Sequence, residues 1–211
     1  MPERTAERAF EPRHVHMLRA LFAVIAAVMI TFSPDHSASV GLSVFSGFAI
    51  ATALVLLLSA WLVFPSGQRA LVLTLGVLSA IAGMAAGIPA FRTTEMFFAV
   101  VVSWALITGL VEGIAGFRTL RRAPRGSAER SEARDALTVG AIGVLLGLAL
   151  LFVPTRYALD YYIDDADRSF TLTGITIGVG LFGAYAAIIG VYLAIAAFSP
   201  RRETSVTEVA P

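Results

Sequence analysis

Apolar residues in this chain come in six long runs separated by short polar breaks: Met17–Phe32, Val40–Phe64, Ala70–Ile88, Thr94–Phe117, Ala136–Val153 and Leu172–Phe198. The runs fit the roughly 17–25 residues that a helix needs to cross a hydrocarbon core of ~30 Å. None shows a one-sided stripe at helical period. Helices apolar all round belong in lipid or in the middle of a bundle. The pattern therefore predicts an all-α, six-helix transmembrane bundle over residues 17–199. Polar tails are expected at 1–16, with a short helix near the membrane, and at 200–211.

Composition agrees with the pattern. The chain is 57% hydrophobic with a mean hydropathy of +0.78, too apolar for a soluble domain. A net charge of +1 gives no reason to expect nucleic acid as a partner. All 16 basic residues are arginine, and their placement sets the orientation. With the N-terminus inside, 13 lie in inner segments and 3 (Arg92, Arg156, Arg168) in outer ones. That bias predicts both termini in the cytoplasm, in the plasma membrane of a bacterium. The expected partner is the lipid bilayer. Homo-oligomerisation is left open.

A repeat lies under the six runs. Shifted by 81 residues, Trp104–Arg121 falls on Tyr185–Arg202 and matches at Ala105, Ile107, Gly109, Ile114, Ala115 and Phe117. Arg69…Pro89 and Arg134…Pro154 each put an arginine 20 residues before a proline, and Arg19…Pro34 is a shorter version. Three helical hairpins of one type follow. A proline just past a helix end costs no hydrogen bond. This arginine-start, proline-turn hairpin, followed by G-x-x-x-(G/A) and a basic stop, resembles the HdeD-like membrane family across most of residues 17–202. The resemblance implies a non-enzymatic role in envelope or acid-stress tolerance. The chain is also similar to actinobacterial six-helix proteins sometimes named acyl-CoA synthetases, but it lacks the lysine and the soluble domains of an adenylate-forming enzyme.

Glu112 is the sharpest candidate for chemistry. It falls about 9 Å from the middle of the fourth run, within the hydrocarbon. A carboxylate there is costly unless it is paired. Positions 115 and 116 are Ala and Gly, so a partner must come from another helix. Arg19, Arg69 and Arg134, near the inner ends of the odd helices, could each reach it. Two readings stand: an ion pair tying helices together, or a carboxylate facing a substrate or proton path in a small transporter or channel. An arginine in hydrogen-bond reach points to the first; a water-lined cavity points to the second.

Four glycine pairs, Gly83/Gly87, Gly109/Gly113, Gly143/Gly147 and Gly174/Gly178, have the spacing of close helix packing in lipid. Looser helix around Gly174, Gly178, Gly180 and Gly183 is the gating alternative. The stretch Thr155–Ser169 gathers Asp160, Asp164, Asp165 and Asp167 beside three tyrosines. It reads as a short interfacial helix with its tyrosines at headgroup level. The alternative is a weak calcium or proton site, though the calcium-loop spacing is missing. With no Cys and three scattered His, thiol chemistry and a histidine metal site are not expected. No phosphate loop, nucleophile elbow or nucleotide fingerprint is present, so neither a cofactor nor a catalytic residue is expected.

Overall fold

The computed structural model describes residues 10–163 and 167–199. Six helices long and apolar enough to span a membrane account for nearly all of it: α1 (Pro12–Phe32), α2 (Ala38–Leu62), α3 (Arg69–Gly87), α4 (Thr94–Arg122), α5 (Ala128–Leu151) and α6 (Gly174–Phe198). This is a multi-pass membrane protein. Local chemistry sets the ends. Ser37, Thr93, Ser127 and Thr173 each accept a backbone N–H of the first turn of α2, α4, α5 and α6. Pro12 opens α1, where its missing N–H costs nothing.

Two boundaries differ from the sequence reading. The polar stretch Arg118–Arg134 is mostly helix, leaving only residues 123–127 as a connection. Arg121 and Arg122 sit in the last turn of α4 and Glu129 in the first turn of α5, each with the favourable sign for the helix dipole. Gly126, at φ +83°, supplies the left-handed turn. Likewise α1 begins at Pro12 rather than Met17.

The interfacial helix expected at Thr155–Ser169 does not form. Strands β1 (Ala158–Ile163) and β2 (Arg168–Thr173) make an antiparallel hairpin, pairing Asp160 with Thr171 and Tyr162 with Ser169. Tyr, Ile, Phe and Thr favour a pleated strand, and Arg168–Thr173 alternates with period two rather than 3.6. Asp167 completes the turn at φ +48°.

The helices form a closed ring. The most extensive contacts join α4 to α5, α2 to α3 and α1 to α6; the seams α1–α2, α3–α4 and α5–α6 are thinner. Each even helix thus packs hardest on the next odd helix, and α6 closes on α1. Gly183 meets Ile30 and Gly190 meets Val24 and Ala20, so α1 and α6 run antiparallel, with residues 12 and 198 at the same end.

That arrangement is the repeat in three dimensions. Gly109 of α4 faces Gly140 O and Val144 N of α5; Gly190, 81 residues on, faces Ala20 O and Val24 N of α1. Phe48, Trp104 and Tyr185, one from each even helix, meet edge to face with centroids 5.8, 5.9 and 6.5 Å apart. They mark the axis of a pseudo-threefold bundle. With Phe45 and Phe182 they fill its centre. Aromatic edge-to-face pairs add roughly 0.5–1.5 kcal/mol each beyond area burial.

Candidate functional site

Counting eight residues on from the aromatic triangle gives Leu56, Glu112 and Leu193, all buried. One repeat therefore carries a carboxylate where the other two carry leucine. The facing odd-helix positions, aligned through Ala20 with Gly140 and through Gly83 with Gly143, are Arg19, Ser79 and Val139. Here too one repeat alone is charged.

Arg19 and Glu112 meet. Arg19 donates from Nη1 to Glu112 Oε1 at 3.0 Å and from Nη2 to Oε2 at 3.4 Å. This fork joins α1 to α4 across 93 residues of sequence. Bidentate guanidinium–carboxylate pairs are the strongest of the side-chain ion pairs. The other two arginines weighed as partners go elsewhere. Arg69 donates to Phe64 O at 3.0 Å and lies 5.0 Å from the centre of the Trp61 ring. Arg134 is exposed.

The pair is not sealed. Arg19 and Glu112 keep 13% and 11% of their side-chain surface accessible. Both line a cavity of 490 Å³ at the end of the bundle where α1 begins and α4 ends. One wall is apolar: Leu56 and Phe64 from α2 and its exit, and Leu71, Val72 and Leu75 from α3. The other wall, from α5, carries Glu129, Glu132 and Asp135. His16, Arg118 and Thr119 are the remaining polar side chains of the lining. Asp135 also accepts the Tyr192 hydroxyl at 2.9 Å and borders a second cavity, between α5 and α6. Among the described residues, the carboxylates and histidines do not converge closely enough to hold a metal ion.

The glycines lie at helix seams. A methyl group on Gly109 would come within 2.8 Å of Gly140 O, and one on Gly83 within 2.8 Å of Ile50. Gly87 faces Ser46, Gly147 faces Leu106 and Gly178 faces Phe97 and Phe98. Gly143 looks across at Gly109 and Ala105, and Gly174 lies against Pro154 O. Gly113 has room, its nearest neighbour being Gly140 Cα at 3.8 Å. Gly180 faces open space. Two of the tightest positions, Gly116 and Gly140, fall outside the four pairs. At Gly116 a Cβ would stand 2.6 Å from Leu137 N, and at Gly140 one would stand 2.6 Å from Gly109 O. The run of glycines 109, 113 and 116 against 140, 143 and 147 was the available signal. Another feature the sequence hides is Trp104 Nε1 donating to Ser79 Oγ at 3.1 Å inside the bundle.

Of the outer acidic cluster, Asp160 accepts from Thr171 Oγ1 at 2.5 Å and Asp167 accepts from the Tyr162 hydroxyl. The Asp167 hydrogen bond pushes the Tyr162 phenol above its ordinary pKa. Asp164 and Asp165 lie outside the described residues, as do Arg4, Arg8, Arg201 and Arg202.

Comparison with known proteins adds no relative: no protein-family model, no curated protein and no solved structure matches the chain.

Proposed function

We propose that this protein is a small, non-catalytic membrane protein that admits a solute to the cavity beside Arg19 and Glu112 and moves it across the bilayer. One observation supports the reading above the rest: a buried ion pair keeps part of its charged surface on a cavity of 490 Å³. A pair that only fastened α1 to α4 would be served as well by a sealed contact. Charged side chains at membrane depth that line a cavity are typical of substrate pathways. The repeat sharpens the point, because leucine fills the equivalent position twice. By the arginine count the cavity opens to the cytoplasm.

Reconstituted liposomes test this. A panel of labelled amino acids, polyamines and lipophilic ions is offered to the wild type and to Arg19→Leu/Glu112→Leu, a pair removal expected to keep the bundle folded. Uptake of at least one solute by the wild type, lost in the folded double variant, is the expected result. Equal uptake by wild type, double variant and empty liposomes overturns the proposal.

A second reading, the envelope or acid-stress role of HdeD-like proteins, draws on the repeat and on how the Arg19–Glu112 fork binds α1 to α4. Under that reading, a deletion strain grows poorly at low pH or under membrane stress. Unchanged growth in both conditions would remove its support.

A further inference from the structure

We propose that the cavity at the Arg19–Glu112 pair takes an amphipathic organic cation, a molecule with a bulky apolar body and one diffuse positive charge. The inference rests on reading the cavity as a solute site and goes on to name its ligand class.

Charge sets the sign. Four carboxylates line the cavity: Glu112 at the pair, and Glu129, Glu132 and Asp135 along α5. Two guanidiniums, Arg19 and Arg118, stand against them. With His16 neutral the lining carries a net charge of −2. Arg19 is already matched by Glu112 at 3.0 Å, so its charge is largely spent at the pair. An incoming anion would meet the α5 carboxylates with only Arg118 in its favour. A cation meets a lining whose net charge is negative, with carboxylates set along α5.

Shape sets the kind of cation. The carboxylates do not converge on a point where a metal ion could sit. They recur at positions 129, 132 and 135, about one helical turn apart, and spread their field along the wall. A field of that form suits a charge dispersed over a large ion, not a compact one that needs oxygen ligands on all sides. The wall from α2 and α3 offers no hydrogen-bonding side chain among Leu56, Phe64, Leu71, Val72 and Leu75. A fully hydrated solute would gain nothing there, whereas an apolar body gains by leaving water. Ligand sites commonly combine such an apolar lining with a few polar groups.

Equilibrium dialysis of the detergent-purified full chain tests the class. The probes are tetraphenylphosphonium, its anionic counterpart tetraphenylborate, and neutral triphenylphosphine oxide. We expect saturable binding of tetraphenylphosphonium, one per chain, at least about 10-fold tighter than either other probe. Glu129→Gln/Glu132→Gln, whose changes lie at the mouth of the cavity, should weaken it about 10-fold. Leu71→Trp, which fills the apolar wall, should abolish it while the melting temperature stays near that of wild type. Binding of tetraphenylborate or the oxide at least as tightly, and equally sensitive to Leu71→Trp, overturns the cation class and leaves the solute site standing. Failure of all three probes to bind in a Leu71→Trp-sensitive way overturns both.

Discussion

Replacing Glu112 by leucine should hurt the fold far more than replacing both members of its ion pair. Glu112→Leu leaves Arg19 with a guanidinium in the bundle and no counter-ion. Removing one partner of a buried pair costs about 3–5 kcal/mol. At contact distance, 3.0 Å between Nη1 and Oε1, the attraction is about 5.5 kcal/mol for an effective dielectric near 20. Exposure of the pair to the cavity lets water take part, so the lower half of the range, about 3–4 kcal/mol, is expected for the single variant. Arg19→Leu/Glu112→Leu removes both charges and restores the leucine present at positions 56 and 193. Apolar replacement of a whole buried pair is often neutral or stabilising by about 1–4 kcal/mol. The four proteins of the cycle can be unfolded by titrating a denaturing detergent into mixed micelles, with Trp104 fluorescence and circular dichroism as readouts. The expected coupling energy is at least about 2 kcal/mol. A Glu112→Leu protein within about 0.5 kcal/mol of wild type, or a double variant no more stable than the worse single one, would refute the assignment of the pair as a coupled unit.

Three other outcomes follow from the same geometry. Gly140→Ala drives a methyl group into the α4 backbone and should cost about 1–3 kcal/mol or more, while Gly113→Ala, with 3.8 Å to its nearest neighbour, should cost much less; the same denaturing titration separates them. Ser79→Ala strips the buried Trp104 indole of its acceptor and should cost about 1–3 kcal/mol, with a shift in Trp104 emission. The Tyr162 phenol is raised by its hydrogen bond to Asp167, so the bond's contribution is present below the ordinary tyrosine pKa and is lost as pH rises through the raised value. Absorbance at 295 nm should place Tyr162 ionisation above that of a free tyrosine, and Asp167→Ala should bring it down; no change on substitution would refute the contact.

Hydropathy alone carries the six helices, because spanning the bilayer imposes a length that apolar runs display directly. It fails wherever a polar segment folds outside lipid. The α4–α5 connection and the β1–β2 hairpin are both such segments, and in both local capping or strand alternation decides the outcome. The site divides the same way. Glu112 stands out because a carboxylate inside an apolar run is costly. Its partner does not, since Arg19, Arg69 and Arg134 all stand near the starts of odd apolar runs, and only the fold shows that Arg19 aligns with Ser79 and Val139, deeper in the bundle than the other two arginines. The shift of 81 residues was visible, but it could not reveal that the tightest seams join one hairpin to the next. Those seams depend on backbone approach at Gly109, Gly116 and Gly140, which no single pair spacing records.

The broken symmetry permits a stronger test of the site. A pseudo-threefold rotation carries α1 to α3 to α5 and α4 to α6 to α2, and its second step takes the Arg19–Glu112 pair to positions 139 and 56. Val139 and Leu56 line the same cavity as the native pair. Arg19→Val/Glu112→Leu/Val139→Arg/Leu56→Glu should therefore move the fork about the axis without emptying or sealing the space beside it. If the pair acts by its position on the axis, this relocated protein stays within about 1–2 kcal/mol of wild type, whereas either transplanted charge alone falls by about 3–5 kcal/mol. Its flux in liposomes then separates the two readings. A tie needs only a pair somewhere in the ring. A solute site needs the carboxylate on α4, facing the α5 wall, so relocation should preserve the fold and abolish transport. Retained transport in the relocated protein would mean that the cavity, and not the placement of Glu112, governs passage.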